Sequence, residues 1–302
     1  MTRLVIVGKH GYIASALCRW LDRESVAYTA ISSAECNFEN VGAVEDTFAR
    51  FGTEELRVVF TVAINPWLDN SPASYERNRR IVKNFVTATR RTNLHLLIYL
   101  STVDVYGRCP ALPISENSPL RPDSWYARAK CECEEHVLGC RAFGVEVTVL
   151  RLPGIYGPGG NDRSVVGKFV RQIATKGELL LHGGGHARRD FVFIDDLCAI
   201  IQRVQSWRES CILNVATGVS WSMREIASLI GDKSGLPFQV LDGSHDIERA
   251  FDLVFDNAAL LAVLPDFRFT SVADGINAYL QENSWEEWQS HSRFAVPSEM
   301  HW

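Results

Sequence analysis

The first apolar run, Arg3 to Val7, is short and hydrophobic on both sides, so it predicts a buried parallel strand rather than a half-exposed one. Gly8-Lys9-His10-Gly11-Tyr12-Ile13-Ala14 follows, and a helical pattern then runs through Leu17, Trp20 and Leu21. Further apolar runs predict strands at Val26 to Ile31, Val58 to Ala63, His95 to Ser101 and Val145 to Leu152. Helices are expected between them, around Val41 to Phe51, Ser74 to Arg91 and Ser124 to Ala142. Strands and helices alternating at this spacing imply βαβ units and a parallel sheet. Right-handed crossovers make that α/β sheet doubly wound, with ligands at the carboxyl ends of the strands. Gly8, Ala63 and Thr102 are expected at such ends.

After Arg151 the texture changes. Residues 153–161 (PGIYGPGGN) read as a glycine-rich loop too long for a tight turn, followed by a helix at Val165 to Lys176 and by Gly183-Gly184-Gly185. The chain from Asp190 to Asn214 is expected to return to the main sheet. The expected division is therefore 1–153 plus about 190–215 for the sheet domain, with 154–189 and about 216–283 as a smaller lobe. Residues 284–302 form a tail carrying Trp285, Trp288 and Trp302.

Composition narrows the possibilities. The 302 residues are 46% hydrophobic and 22% charged, ordinary for a globular protein with a sizeable core. A net charge of −5 gives no basic excess for nucleic acid or an anionic membrane. No apolar run approaches the ~18 residues of a membrane span. The N-terminus enters a strand-like run without a signal peptide. The cysteines, at 18, 36, 109, 131, 133, 140, 198 and 211, form no CxxC pair and suggest reduced, small hydrophobes in a cytoplasmic protein with no metal site.

Candidate chemistry centres on Tyr126 and Lys130, four residues apart and so on one helix face. A cation beside a phenol lowers its pKa from about 10, and a hydroxyl at Thr102 could share a substrate oxygen with it. That trio can move a proton on or off an alcohol or ketone. Gly8 and Gly11, with Lys9, Tyr12 and Ile13, form a candidate phosphate loop leading into a helix N-terminus, and Ala14 takes the third small position. The second strand ends in Ile31-Ser32-Ser33-Ala34 with Glu35 as the nearest acid, and Lys9 lies in the loop. Hydroxyls plus a cation suit the 2′-phosphate of NADP(H) better than the 2′-hydroxyl of NAD(H), which stays the alternative. Arg189, with Arg188 beside it, could clamp a diphosphate.

Gly8-x-x-Gly11-x-x-Ala14, Ser101-Thr102 through Tyr106-Gly107, Tyr126-x-x-x-Lys130, Arg151-Leu152 through Tyr156-Gly157-Pro158, and Arg189-Asp190-Phe191 through Asp195-Asp196 occur in this order. Together they resemble the extended short-chain dehydrogenase/reductase family, in its nucleotide-sugar epimerase/dehydratase group, over residues 3–280. The resemblance implies a Rossmann domain binding NAD(P), including residues at Ala63, and a C-terminal lobe binding a nucleoside-diphosphate sugar. It also implies Tyr126 as acid/base, Lys130 on the phenol and the nicotinamide ribose, Thr102 on the reacting oxygen, Asp104 and Arg189 on substrate, and a structural Asn78. Homodimers built on helices flanking the YxxxK segment are common in such relatives; Val137 and Leu138 are compatible with that arrangement. Three departures stand out. Val103 cannot donate a proton where 4,6-dehydratases carry an acid; Asp104 is a shorter carboxylate than the Glu of decarboxylases; and Gly154 replaces a substrate-binding Asn. The lead expectation is reduction of a 4-keto (deoxy)sugar nucleotide by NAD(P)H. A nucleotide-sugar 4-epimerase is the alternative, and a non-catalytic NAD(P)-binding sensor is a third reading.

Overall fold

A computed structural model describes residues 2–108, 111–160, 164–207, 209–243 and 251–281. Cys109, Asn161 and the tail at 284–302 lie outside them. In chain order the first half comprises β1 (Thr2–Val7), α1 (Tyr12–Arg23), β2 (Thr29–Ile31), α2 (Val41–Ala49), β3 (Glu55–Phe60), α3 (Pro72–Thr89), β4 (Leu94–Thr102), α4 (Trp125–Leu138) and β5 (Glu146–Leu152). The second half adds β6 (Gly154–Tyr156), α5 (Val165–Lys176), β7 (Glu178–Leu181), β8 (Arg188–Phe193), α6 (Ile194–Val204) and β9 (Cys211–Asn214). It closes with β10 (Ser220–Ser222), α7 (Met223–Ser234), β11 (Gln239–Asp242), α8 (Ala258–Val263) and α9 (Val272–Gln281).

The main sheet runs β2-β1-β3-β4-β5-β9, parallel throughout. Its direction of winding reverses between β1 and β3, the switch point where a doubly wound sheet opens a crevice. The strands read as apolar runs because both faces are covered. On one face Leu4, Ile6, Ile98 and Leu150 meet Leu17 and Leu21 of α1 and Leu197 and Ile201 of α6. On the other Val5, Val58 and Leu97 meet Val44 and Phe48 of α2, Phe85 of α3 and Val137 of α4. A separate core beneath α5, α7 and α9 gathers Phe169, Ile226, Ile276 and Phe193.

Several boundaries differ from the sequence expectation, each for a local reason. Val26 donates its N–H back to Leu21 at 2.9 Å, so it closes α1 and leaves β2 only three residues, Thr29–Ile31. Thr61 turns both its N–H and hydroxyl onto the Val7 carbonyl, diverting the chain and ending β3 at Phe60, so Ala63 falls in the loop beyond. Helix α4 stops at Leu138, continues as a 3-10 turn to Phe143, and is closed by Gly144 at φ 78°. Part of the stretch read as a loop is strand: β6 pairs with β8, and a Cβ on Gly154 would lie 3.1 Å from the Phe191 ring. The expected return to the main sheet is made by β9 as a strand and by α6 packed on its face, while β8 belongs to a small sheet, β10-β8-β6. Val137 is fully buried in the core of its own chain, which removes it from any subunit interface.

A buried polar cluster pins the carboxyl ends of β4 and β5. Arg151 on β5 forks onto Glu134 of α4, with Nη2–Oε2 at 2.7 Å, and both side chains are 3% exposed. Ser101 donates its hydroxyl to Glu134, Arg151 donates to the Tyr106 phenol at 2.8 Å, and that phenol donates to Asn214 of β9 at 2.7 Å. Burying two charges is tolerable only with such complete hydrogen bonding.

Candidate active site

The edge where β1, β2 and β3 end carries the first half of the site. Gly8 sits at φ 101°, and a Cβ there would come within 2.4 Å of the Thr61 hydroxyl oxygen, so only glycine fits. Gly11 is the N-cap of α1, which has no side-chain cap and no acid in its first turn. Backbone N–H groups at that end therefore face outward with the positive end of the helix dipole, the setting that receives phosphate. The side chains of Tyr12 and Ile13 are half-buried against the core, and the Tyr12 phenol donates to the Gly157 carbonyl at 3.2 Å.

Beside Gly8 lies a cavity of about 270 Å³, lined by Ser32, Ser33, Asn37, Phe38, Val62 and Arg77, among others. Glu35 folds back on the strand end, where its Oε2 accepts from Ser32 N–H at 2.8 Å and from the Ser32 hydroxyl at 2.7 Å, which pulls its carboxyl below the usual range. Lys9 is exposed and does not line the cavity, although its charge reaches Glu35. Ala63 is half-buried and outside the lining, where its neighbour Val62 stands instead. Arg77, on α3, was not anticipated from sequence; the only local signal was its adjacency to Asn78. The Asn78 side chain accepts from Ile64 N–H at 2.7 Å and donates to Ile64 C=O at 3.1 Å, clamping the loop after β3.

The second half lies at the end of β4. Thr102 is the last residue of that strand and its Oγ accepts from Asp104 N–H at 3.2 Å, leaving its own proton to donate. Ser124 caps α4 through the Ala127 N–H, and Asn70 holds the Tyr126 N–H at 3.0 Å. This brings Tyr126 onto the first turn with Lys130 one turn below, its Nζ 5.8 Å from the phenol ring centroid. Asp104 is exposed but ringed by protein, and desolvation raises its carboxyl; its charge acts on Tyr126 and it is opposed by Arg189.

Two expectations need correction here. The Tyr126 phenol lies above its ordinary pKa, not below it, because burial and the Asp104 carboxylate disfavour the phenolate. Lys130 does not counter them: it is 4% exposed, donates to the Leu100 carbonyl at 2.7 Å, sits over the Tyr99 ring, and is itself pushed down to about 8 by burial. The Arg188–Arg189 clamp is also not formed as a pair. Successive strand residues face opposite sides, so Arg188 turns to Glu225 at 3.4 Å and to the Ser220 carbonyl. Arg189 turns the other way, bonding the Phe251 carbonyl and stacking on the Phe251 ring while its charge acts on Asp104.

A glycine at positive φ, an uncapped helix start and a phenol–lysine pair at the ends of parallel strands fit a dinucleotide and the carbon it reduces or oxidises. Residues 4–216 match the model of the NAD dependent epimerase/dehydratase family. The chain belongs to that family. Within it, the chain is 25% identical to a GDP-6-deoxy-D-talose 4-dehydrogenase of Aggregatibacter actinomycetemcomitans over 89% of its own length and 94% of the relative's. It is 28% identical to a putative UDP-glucose 4-epimerase of Methanocaldococcus jannaschii, but that match spans 50% of this chain and only 51% of the relative. Among solved structures, RMD of Pseudomonas aeruginosa complexed with NADPH superimposes with a TM-score of 0.84 at 22% identity, covering 94% of this chain and 99% of that one. The UDP-glucose 4-epimerase of Thermotoga maritima superimposes with a TM-score of 0.82 at 19% identity, covering 93% and 98%. The protein is thus an enzyme of the extended short-chain dehydrogenase/reductase type with a Rossmann fold. Among the described residues no helix is long and apolar enough to cross a membrane.

Proposed function

We propose that this enzyme reduces the 4-keto group of a (deoxy)sugar nucleotide with NADPH. The observation that carries the reading is the placement of the Tyr126 phenol one helical turn from Lys130, near Asp104 and the end of the strand that carries Thr102. A phenol carries its proton at neutral pH and can give it to a developing alkoxide, which is the stronger base. The chemistry a bound nicotinamide supplies is hydride delivery to the sugar C4. Tyr126 donates the phenolic proton to the C4 oxygen, Thr102 donates a hydrogen bond to the same oxygen, and Lys130, one helical turn below, is placed for the nicotinamide ribose. Arg189 and Asp104 orient the sugar nucleotide, and the division into a Rossmann domain and a substrate lobe (154–189 and about 216–283) gives each ligand its own half. Holding the reacting centres in place can account for ~7–11 kcal/mol of the barrier. The 94% coverage of a relative named as a 4-dehydrogenase of a 6-deoxysugar nucleotide supports C4 as the carbon.

A 4-epimerase uses the same residues, and the match to a putative UDP-glucose 4-epimerase favours it as the second reading. Cofactor stoichiometry separates the two. With purified protein and a 4-keto-6-deoxy sugar nucleotide, loss of NADPH absorbance equal to product formed is expected, and Tyr126→Phe should lower the rate about 10²–10⁴-fold. Interconversion of two sugar nucleotides without net cofactor loss would replace the reductase with the epimerase.

A further inference from the structure

We infer that Arg77 is the residue that selects a 2′-phosphorylated cofactor, an inference that rests on the dinucleotide reading of the cavity beside Gly8. An acid at the end of the second strand would favour the free ribose hydroxyl, and both nearby acids are engaged by the protein itself. Glu35 accepts from Ser32 through the backbone and the hydroxyl. Glu39 accepts from Arg77 on Oε1, at 2.7 Å from Nη2, and from Arg80 on Oε2, at 2.8 Å. Glu39, which also lines the cavity, is thus shared by two guanidiniums. Arg77 lines the cavity together with Ser32 and Ser33, whereas Lys9 and Arg80 do not. The cation that meets the strand-end serines therefore comes from α3, some forty-five residues downstream of them. A guanidinium is the side chain best shaped to bind a phosphate, and Glu39, beside it in the cavity lining, holds its Nε and Nη2 so that little freedom is lost on binding.

Arg80 provides the control, since it shares Glu39 but stands outside the cavity. Isothermal titration of NADPH and NADH into the wild type, Arg77→Gln, Arg77→Lys and Arg80→Gln proteins tests the inference, with thermal melts to verify folding. In Arg77→Gln, NADPH affinity should fall about 10- to 100-fold, the range of a hydrogen bond to a charged group, while NADH affinity changes less than about threefold. Arg77→Lys should recover part of the NADPH affinity, and Arg80→Gln should leave both cofactors near wild type. Equal losses for both cofactors, no loss for either, or tighter wild-type binding of NADH than NADPH would each overturn the assignment of Arg77. Wild-type protein that binds neither cofactor would instead overturn the dinucleotide reading on which the inference rests.

Discussion

At the scale of single residues, Lys130 offers the sharpest check on the site's electrostatics. Its folded pKa, about 8, lies below its unfolded value of 10.5 because burial disfavours the ammonium. Between those values the unfolded chain binds more protons than the folded one, so this group adds stability as pH rises through the window and penalises the fold below it. Urea midpoints for wild type and Lys130→Met, measured from pH 7 to 10.5, should therefore diverge, with the wild type gaining on the variant above pH 8. A gap that stays flat or moves in the variant's favour would show that the ammonium is not desolvated. Gly8, Tyr126 and Lys130 were legible in the sequence because each expresses a local rule: a turn that excludes Cβ, or a four-residue helical spacing. The direction of the Tyr126 pKa was not legible. It depends first on burial of the phenol and then on Asp104, with Lys130 turned to the Leu100 carbonyl, none of which any spacing along the chain encodes.

At the scale of elements, the parallel strands announced themselves as apolar runs, and their ends moved only where a side chain intervened, as Thr61 does at the end of β3. What joins the elements was hidden. Arg151 and Glu134 lie seventeen residues apart, on β5 and α4, and their pairing aligns the end of β4 through Ser101. Removing one partner strands a buried charge, so Glu134→Gln is expected to cost about 3–5 kcal/mol in denaturant titration. The paired substitution Glu134→Met with Arg151→Met should recover much of that loss, because apolar side chains of similar volume need no partner. Additive losses in the double variant would mean that the two groups stabilise the fold independently. The same distance effect hid Arg77, which joins Ser32 and Ser33 in the cavity lining from a helix far along the chain.

At the scale of the whole molecule, burial decides which apolar residues are available to a second copy of the chain. Val137 is an apolar position compatible, in sequence, with a dimer on the helix of Tyr126, yet its side chain is fully buried against the sheet with Phe85 and Leu97. Helical position alone could not separate the two faces, since α4 carries Cys133 and Val137 inward while Trp125, Arg128 and Glu135 stay outside. Trp125 is 37% exposed, with the Arg128 guanidinium over its ring, so the outer face of α4 is polar with one aromatic edge. A homodimer is a proposal for this chain, and any interface along α4 would have to use that outer face. Val137→Asp distinguishes the two placements. A carboxylate forced into the core should lower the melting temperature steeply and broaden or abolish the cooperative transition. A folded variant with an unchanged melt, shifted from dimer to monomer on a sizing column, would instead put Val137 on a subunit interface and overturn the core assignment.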